Sequence, residues 1–413
     1  MANASAPLVF PVLSGRITPI STWDTCESGW VTGGNVVAST HSGNNRLSTQ
    51  TTSQKIVSNN SSNVFASKAR AITGMDSFDS GILVYYQGHD FDSTFLQDTR
   101  FDFGTADSAA AATSIAQIPR SGWNFVPFQR LEFSTALVGA QIPYFATKTF
   151  TSFELRSSGN ATPLDLYIGG VFFGGRRKGR VMFHIDDPWT SAYDNFVTYA
   201  DPYGWKLNIF VTQDLVATTD HMTLVTLAAA KARGYRICNH SKTHGVVSGL
   251  TGAQLLSTEL SLCAAYLTSN GLNTVSGNFD TAYCYAAPFG FLNQAHIDAV
   301  RTAGYWMART TLDDHNAMEA DAVNPWGVGV FVCQASTTIA QIRQTIRLAA
   351  ARGSVLRILI HEVVNSGAAG SQINLATFKI IVEEVRMLEL MGAVDVSDEL
   401  THRVQCGSIT QWW

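Results

Sequence analysis

The stretch RVMFHIDDP (residues 180–188) decides the fold, because it predicts a buried strand that ends at two adjacent carboxylates. Neighbouring side chains of a strand point to opposite faces, so Asp186 and Asp187 would diverge unless the strand ends between them. One interpretation is a plain strand-to-loop junction, in which an aspartate caps the following turn. The other is a functional pair of acids at the mouth of a buried strand, and the two interpretations are separated by the motifs that follow.

Strand-like runs alternate with helix-like runs from about residue 178 onwards. The predicted strands are RVMFHID (180–186), LNIFVT (207–212), YRICNH (235–240), YCYAAP (283–288), GYWMART (304–310) and LRILIHE (356–362). Apolar residues at helical spacing predict helices over residues 221–234, 251–271, 292–304, 338–353 and 374–392. This alternation indicates an α/β fold with a parallel sheet or a barrel. In such folds the functional side chains lie at the carboxyl ends of the strands.

The residues before 178 have a different composition, rich in Ser, Thr, Asn and Gly, with short apolar stretches separated by turn residues. This pattern predicts an all-β sandwich or jelly-roll-like domain over residues 41–178. Residues 1–40, which contain Pro7, Pro11 and Pro19, are predicted to form an extended N-terminal arm. A weakly charged, polar β domain suits glycan binding or attachment, and we predict that role for it by analogy of composition.

The composition argues against several classes of protein. Of the 413 residues only 15% are charged, the net charge is −4 and the pI is about 6.2. Nucleic-acid binders carry basic clusters, so we expect no nucleic-acid partner. No apolar run approaches the roughly 18–20 residues that span a bilayer, and the N-terminus lacks the features of a signal peptide, so we expect no membrane insertion. Six cysteines without CxxC spacing argue against a thiolate zinc site.

Two histidines stand four residues apart in NHSKTH (239–244). A helical turn would bring His240 and His244 to one face, although paired surface histidines are also common. Together with Asp187 they make a set of two imidazoles and one carboxylate, which can bind a divalent metal and leave positions for water and substrate. His361 ends another apolar strand, where a single histidine is either structural or catalytic.

These motifs together resemble the polysaccharide deacetylases with the NodB-homology domain (carbohydrate esterase family 4), over roughly residues 180–400. HIDDP matches the Asp-Asp core of the family's TFDDG motif, and residues 240–244 match its H-S/T-x-x-H motif in full. The R-x-P-Y/F-G motif is present as AAPFG (286–290) without its arginine, and L-x-I-H as ILIH (358–361). The D-S/T-x-D-W motif is not recognisable in ARTTLDDH (308–315).

The resemblance implies a fold and an activity. The fold is a distorted (β/α) barrel of roughly seven strands over residues 179–413. The activity is the metal-dependent removal of acetyl groups, N- or O-linked, from a polysaccharide. Asp187, His240 and His244 would hold one divalent metal ion, for which we expect zinc.

The remaining site residues follow from the same comparison. Asp186, which stays off the metal, would accept the proton of the attacking water, and His361 would protonate the leaving group. The backbone N–H of Phe289 would help to hold the oxyanion. Trp189, directly after the acid pair, would line a sugar subsite, since aromatic faces stack on pyranose rings.

The arginine missing from the third motif leaves Asp186 without its usual partner. Ala286 stands in that place, whereas the degenerate fourth motif offers Arg309. Both residues lie at the carboxyl end of a predicted barrel strand, so both side chains can face the same end of the barrel. We therefore predict that Arg309 pairs with Asp186 and restores the cation from a different strand.

Two other functions compete with an active deacetylase. The missing arginine is also compatible with a carbohydrate-binding or phage tail attachment protein whose deacetylase domain is weakened or inactive. Some relatives of the family hydrolyse cyclic imides without a metal, but the complete Asp-His-His set argues against that chemistry. The expected partner is an acetylated polysaccharide, the expected location is extracellular or virion-associated, and an oligomer is compatible with the sequence.

Overall fold

The computed structural model describes residues 178–313 and 324–406 and, before them, the backbone of eleven strands between residues 20 and 174. The chain divides into two compact units, of which the first extends to Arg177 and the second begins at Lys178. None of the helices in the described part of the chain has the length and apolar character needed to cross a bilayer.

The first unit contains two antiparallel sheets. Its strands are β1 (Ile20–Asp24), β2 (Val31–Gly33), β3 (Val36–His41), β4 (Ser53–Ser58), β5 (Val64–Ala69), β6 (Ser80–Gln87), β7 (Thr99–Thr105), β8 (Ala111–Thr113), β9 (Gly122–Gln129), β10 (Phe150–Ser157) and β11 (Asp165–Gly174). One sheet has the order β3-β4-β11-β6-β9 with β1 on β11, and the other has the order β2-β5-β10-β7-β8. Strands β1 and β2 and most of β3 fall within the segment predicted as an arm. The sandwich, its bounds and its attachment role stay predictions.

The second unit is a closed parallel barrel of seven strands with surrounding helices, and the predicted fold class is confirmed. Including five strands outside the barrel, the strands of the second unit are β12 (Gly179–Asp186), β13 (Leu207–Val211), β14 (Arg236–Asn239), β15 (Val275–Ser276), β16 (Phe279–Asp280), β17 (Cys284–Ala286), β18 (Met307–Asp313), β19 (Trp326–Val332), β20 (Val355–Ile360), β21 (Glu362–Val364), β22 (Gln372–Asn374) and β23 (Val394–Val396). The barrel runs β12-β13-β14-β17-β18-β19-β20, and it closes because β12 pairs in parallel with both β13 and β20.

The helices cover the outside of the barrel. They are α1 (Thr190–Tyr199), α2 (Leu224–Ala232), α3 (Gly252–Gln254), α4 (Ser261–Ser269), α5 (Gln294–Thr302), α6 (Ile339–Arg352), α7 (Leu375–Leu390) and α8 (Glu399–Cys406), with a π-helical segment (Leu255–Leu260) joining α3 to α4. All five predicted helical segments contain helices. The starts of α3 and α6 are fixed by capping boxes, in which a threonine and a glutamine side chain satisfy each other's backbone N–H groups.

The alternation of side chains along β12 explains its mixed sequence. Val181, Phe183 and Ile185 belong to the main core cluster, which also contains buried residues of the helices. The residues between them therefore face the barrel interior. The interior positions of RVMFHID carry Arg180, Met182, His184 and Asp186, so a hydrophobic strand places ionisable groups inside the barrel.

Paired polar side chains lie in the amino end of the barrel interior. Arg357 of β20 is paired with Glu399 of α8 through both carboxylate oxygens, and Nε2 of His184 lies 3.2 Å from Oε1 of Glu399. Burial lowers the pKa of His184 to about 4 in spite of this carboxylate, so the ring is neutral at pH 7. One helical turn further along α8, Nδ1 of His402 lies 2.5 Å from Nη1 of Arg180. Helix α8 thus closes the end of the barrel opposite the carboxyl ends of the strands.

Candidate active site

The two adjacent acids are separated by the end of β12. Asp186 is the last residue of the strand, and Asp187 follows with a left-handed backbone (φ 56°), which aspartate tolerates better than most residues. This reversal lets both carboxylates face one imidazole: Nε2 of His240 lies 3.6 Å from Oδ2 of Asp186 and 3.8 Å from Oδ1 of Asp187. Thr212 donates a hydrogen bond of 2.8 Å to the same Oδ1 of Asp187 and fixes its orientation.

The helical turn predicted for the two histidines is wrong. Residues 240–244 form a loop after β14, in which Ser241 (φ 77°) and His244 (φ 57°) adopt left-handed backbone conformations. The backbone N–H of Ser241 donates a hydrogen bond to Oδ1 of Asn239, and the backbone N–H of His244 donates one to Oγ of Ser241. Such local side-chain bonds to the backbone compete with helix formation. The loop still brings the two rings together, with centroids 5.0 Å apart.

Glu259 stabilises this loop through hydrogen bonds, and the sequence analysis did not identify this residue. Its buried carboxylate accepts hydrogen bonds from the backbone N–H groups of Lys242 (3.0 Å) and Thr243 (2.9 Å), and from the Thr243 hydroxyl (2.8 Å). The residue lies in the π-helical segment. An acid facing the core within an apolar helical run was the available signal for this role.

The residues of the predicted metal site fit a divalent ion. One donor atom each from Asp187, His240 and His244 lie within 4.8 Å of one another. Nδ1 of His240 is 2.8 Å from the carbonyl oxygen of Ala286, and since a carbonyl can only accept, Nδ1 carries the proton and Nε2 keeps its lone pair. Burial also holds the pKa of His240 below its usual value, which favours the neutral imidazole that a metal requires.

Asp186 is paired with an arginine, as the sequence analysis predicted. Nη2 of Arg309 donates to Oδ1 of Asp186 at 2.5 Å, and both side chains are fully buried. Arg309 is the register partner of Ala286 on the neighbouring strand, which explains how it reaches the place vacated by the missing third-motif arginine. Its guanidinium also lies 4.8 Å from the centre of the Phe210 ring.

The surroundings of Asp186 keep it ionised. Burial raises the pKa of this carboxyl, but the charge and hydrogen bond of Arg309 oppose burial, and the pKa is held well below its usual range. His361 follows β20 and faces the same acids. Burial lowers the pKa of His361, while Asp186 opposes this change, and within the described ranges its Nδ1 has no hydrogen-bond partner.

Replacing Arg309 with Ala should shift the pH profile of the activity to higher pH. The variant leaves the buried carboxylate of Asp186 without a cation, so the pKa of Asp186 rises. The acid limb of kcat/KM then moves to higher pH, while metal content stays unchanged. We also expect the free energy of unfolding to fall by about 3–5 kcal/mol, the usual effect of removing one partner of a buried ion pair. Arg301→Ala is the matched control, because Arg301 forms an exposed pair with Asp298 on α5. An unaltered pH profile of the Arg309 variant would contradict the pairing role.

The two predicted substrate-contacting aromatic residues occupy different surroundings. Phe289 is 64% exposed, has a left-handed backbone (φ 56°), and its ring centre lies 4.7 Å from that of His244. Trp189 packs on His221 instead, with ring centres 4.3 Å apart. The structure therefore places Phe289 against a residue of the predicted metal site, and both substrate roles stay predictions.

A family comparison agrees with this geometry. Residues 174–308 match the family model for polysaccharide deacetylases. The match includes both acids, the two histidines of the loop and the Phe289 turn, and it ends one residue before Arg309. No curated protein sequence matches the chain.

Solved structures of carbohydrate esterases show weak similarity to the chain. The Xyl-CE4 domain of a multidomain xylanase from the hindgut metagenome of Trinervitermes trinervoides is 12% identical, with 56% of this chain and 92% of that chain covered and a TM-score of 0.40. A family 4 carbohydrate esterase from Streptomyces lividans is 17% identical, with 53% and 92% covered and a TM-score of 0.36. A CE4 family pseudoenzyme from Bacillus anthracis is 13% identical, with 55% and 66% covered and a TM-score of 0.37.

Proposed function

We propose that the barrel is a metal-dependent deacetylase that hydrolyses N- or O-linked acetyl groups of a polysaccharide, such as a bacterial surface glycan. The supporting observation is the division of the two adjacent acids. Asp187 belongs to the cluster with His240 and His244, whereas Asp186 is held by Arg309 at 2.5 Å. Metal-assisted hydrolysis needs groups that bind the ion and a separate group that moves a proton, and the two acids are placed to divide these tasks.

The proposed mechanism assigns one task to each residue of the chain. A divalent ion, for which we propose zinc, would be held by Asp187, His240 and His244 and would supply Lewis acidity toward the acetyl carbonyl and the attacking water.

Asp186 takes the proton of the attacking water at its carboxylate, and Arg309 keeps that carboxylate ionised and oriented. The backbone N–H of Phe289 donates to the developing oxyanion, and the acetyl group leaves its carrier as acetate. His361, in its protonated form, gives a proton to the leaving nitrogen or oxygen, so that an amine or a hydroxyl remains on the sugar, and the proton held by Asp186 then returns to the solvent.

The position of Arg309 argues against the alternative that the deacetylase domain is inactive. That alternative, a binding or attachment protein, depended on the arginine missing at Ala286. The pairing of Arg309 with Asp186 offers the same charge from the next strand. The attachment role of the first unit and an extracellular or virion-associated location remain part of the proposal.

Acetate release tests the proposed function directly. The full chain, loaded with Zn²⁺, is expected to release acetate from acetylated polysaccharides and from 4-nitrophenyl acetate, which contains no sugar. Treatment with a chelator should remove this activity, and added Zn²⁺ should restore it. Absence of acetate release from every substrate by the metal-loaded protein would reject the proposal and favour a binding protein.

A further inference from the structure

Residues 240–244, which we call the histidine loop, are bound on one side by main-chain groups. The backbone N–H of Gln213, in the turn after β13, donates to the carbonyl oxygen of Ser241 at 3.1 Å. The backbone N–H of Asp214 donates to the carbonyl oxygen of Lys242 at 2.9 Å. Replacing a side chain leaves these two hydrogen bonds in place, so this side of the loop is insensitive to substitution.

The hydrogen bonds on the other side of the histidine loop converge on one carboxylate. The backbone N–H groups of Lys242 and Thr243 both donate to Oε2 of Glu259, and the Thr243 hydroxyl donates to Oε1. The same hydroxyl accepts from the backbone N–H of Gly245 at 3.1 Å. The residues before and after His244 are therefore connected, directly or through Thr243, to Glu259.

The backbone of the histidine loop needs such support. Ser241 and His244 have positive φ angles of 77° and 57°, a region that is unfavourable for residues other than glycine. Such conformations persist only where the surrounding structure enforces them. Nε2 of His244 lies 3.6 Å from Oδ2 of Asp187, and a relaxed loop would move this nitrogen away from the other donor atoms of the cluster.

The π-helical segment (Leu255–Leu260) places Glu259 against the histidine loop. Asn239, the last residue of β14, donates to the carbonyl oxygen of Leu260 at 3.0 Å and accepts from the backbone N–H of Ser241 at 2.9 Å. The segment is thus bonded to the start of the loop through Asn239 and to its middle through Glu259. Short π-helical stretches within α-helices occur frequently at functional sites.

We propose that Glu259 is a positioning residue of the candidate metal site, which holds the histidine loop so that both imidazoles reach one divalent ion together with Asp187. In this role Glu259 sets the metal affinity of the folded protein, because a preorganised set of ligands loses less conformational freedom on binding. It is not a catalytic residue, since it contacts the loop and not the donor atoms. The inference rests on the proposed function, because it concerns the same metal site.

The affinity of the full chain for Zn²⁺, measured by competition with a chromophoric chelator, tests the inference. Glu259→Ala should weaken Zn²⁺ binding about 10–100-fold, the usual effect of removing a group that orients metal ligands. Glu259→Gln keeps one acceptor oxygen for the backbone N–H groups, so it should weaken binding less. The visible absorption of the Co²⁺-loaded protein should change in the same order, because it reports the arrangement of the ligands.

Rescue by excess metal separates positioning from catalysis. Saturating Zn²⁺ should return 4-nitrophenyl acetate turnover by Glu259→Ala to within about threefold of the wild-type value, because the residue changes the occupancy of the site and not the reaction. A rate that stays far below the wild-type value at full occupancy would overturn the positioning role.

Glu384→Ala is the matched control, because Glu384 on α7 is as buried as Glu259 (6% and 7% exposed) and is paired with Arg343 and Arg347 of α6. It should lower the free energy of unfolding and leave the Zn²⁺ affinity unchanged. If Glu259→Ala does not fold, Thr243→Val removes the hydroxyl of the same network with little change of shape, and it should also weaken Zn²⁺ binding.

Two kinds of failure are distinguishable in this experiment. The inference alone is overturned if wild-type protein binds Zn²⁺ and the folded Glu259 and Thr243 variants bind it as tightly, or if Glu384→Ala weakens binding to the same extent. Wild-type protein that binds no Zn²⁺ would reject the metal dependence of the proposed function and the inference together.

Discussion

A His244→Ala variant is expected to lose stoichiometric metal and to release acetate about 10³-fold or more slowly than the wild type. The change leaves only Asp187 and His240 in the cluster, and two ligands are too few to hold a zinc ion tightly. The fold should persist, because His244 is only half-buried and its backbone N–H still reaches Ser241. Metal analysis of the purified protein and an acetate assay measure the two effects.

Two further variants isolate the role of the imidazole. His244 has a left-handed backbone, so alanine adds a conformational cost that asparagine largely avoids, and His244→Asn should give the same loss of metal. His221→Ala removes another histidine from the same end of the barrel, one that packs on Trp189, and it should keep the metal. A full complement of metal in either His244 variant would refute the assigned ligand set.

An Asp186→Asn variant should keep its metal and lose about 10²–10⁴-fold in kcat, the usual contribution of a positioned base. The amide cannot take up a proton at neutral pH, whereas the three residues of the metal cluster are untouched. The variant also leaves the buried Arg309 without its counter-charge, which should lower the free energy of unfolding by about 3–5 kcal/mol. Metal content, kcat and urea unfolding are the measurements.

The loss of stability must be separated from the loss of the base. The double variant Asp186→Asn, Arg309→Gln removes both charges of the buried pair, so it should regain part of the stability while remaining as slow as the single variant. Recovery of activity along with stability would mean that Asp186 acts by supporting the fold. Near-normal turnover of the single variant would remove Asp186 from the mechanism.

The barrel was largely predictable because most of its strands are continuous apolar runs that end in polar residues. Six of its seven strands were predicted, and β19 was missed. Its sequence WGVGVFV contains two glycines, which weaken a strand signal, and residues 314–323 before it gave no clear turn. Helix α1 was missed for a similar reason, since TSAYDNFVTY is rich in β-branched, aromatic and polar residues and its N-cap makes no side-chain bond.

The candidate site was predictable where its residues lie close together in sequence. The acid pair and the two histidines are short motifs, although the local backbone of the second is a loop instead of a helix. The contact between Asp186 and Arg309 spans 123 positions, and it was predicted only because a missing charge had to be supplied from another strand end. Glu259 binds the histidine loop through tertiary contacts, and the one local signal for it was an acid within an apolar helical run.

The closure of the barrel by β12 also sets the order in which the chain can fold. β12 leaves the ribosome first among the seven strands, but one of its neighbours in the barrel is β20, which is synthesised about 170 residues later. The partner of Arg357 follows later still, on α8. During translation, β12 therefore has an unpaired apolar edge, and several ionisable interior residues lack their native partners. Partly folded chains of this kind are prone to aggregate. Expression at low temperature or with chaperones should consequently raise the yield of native protein.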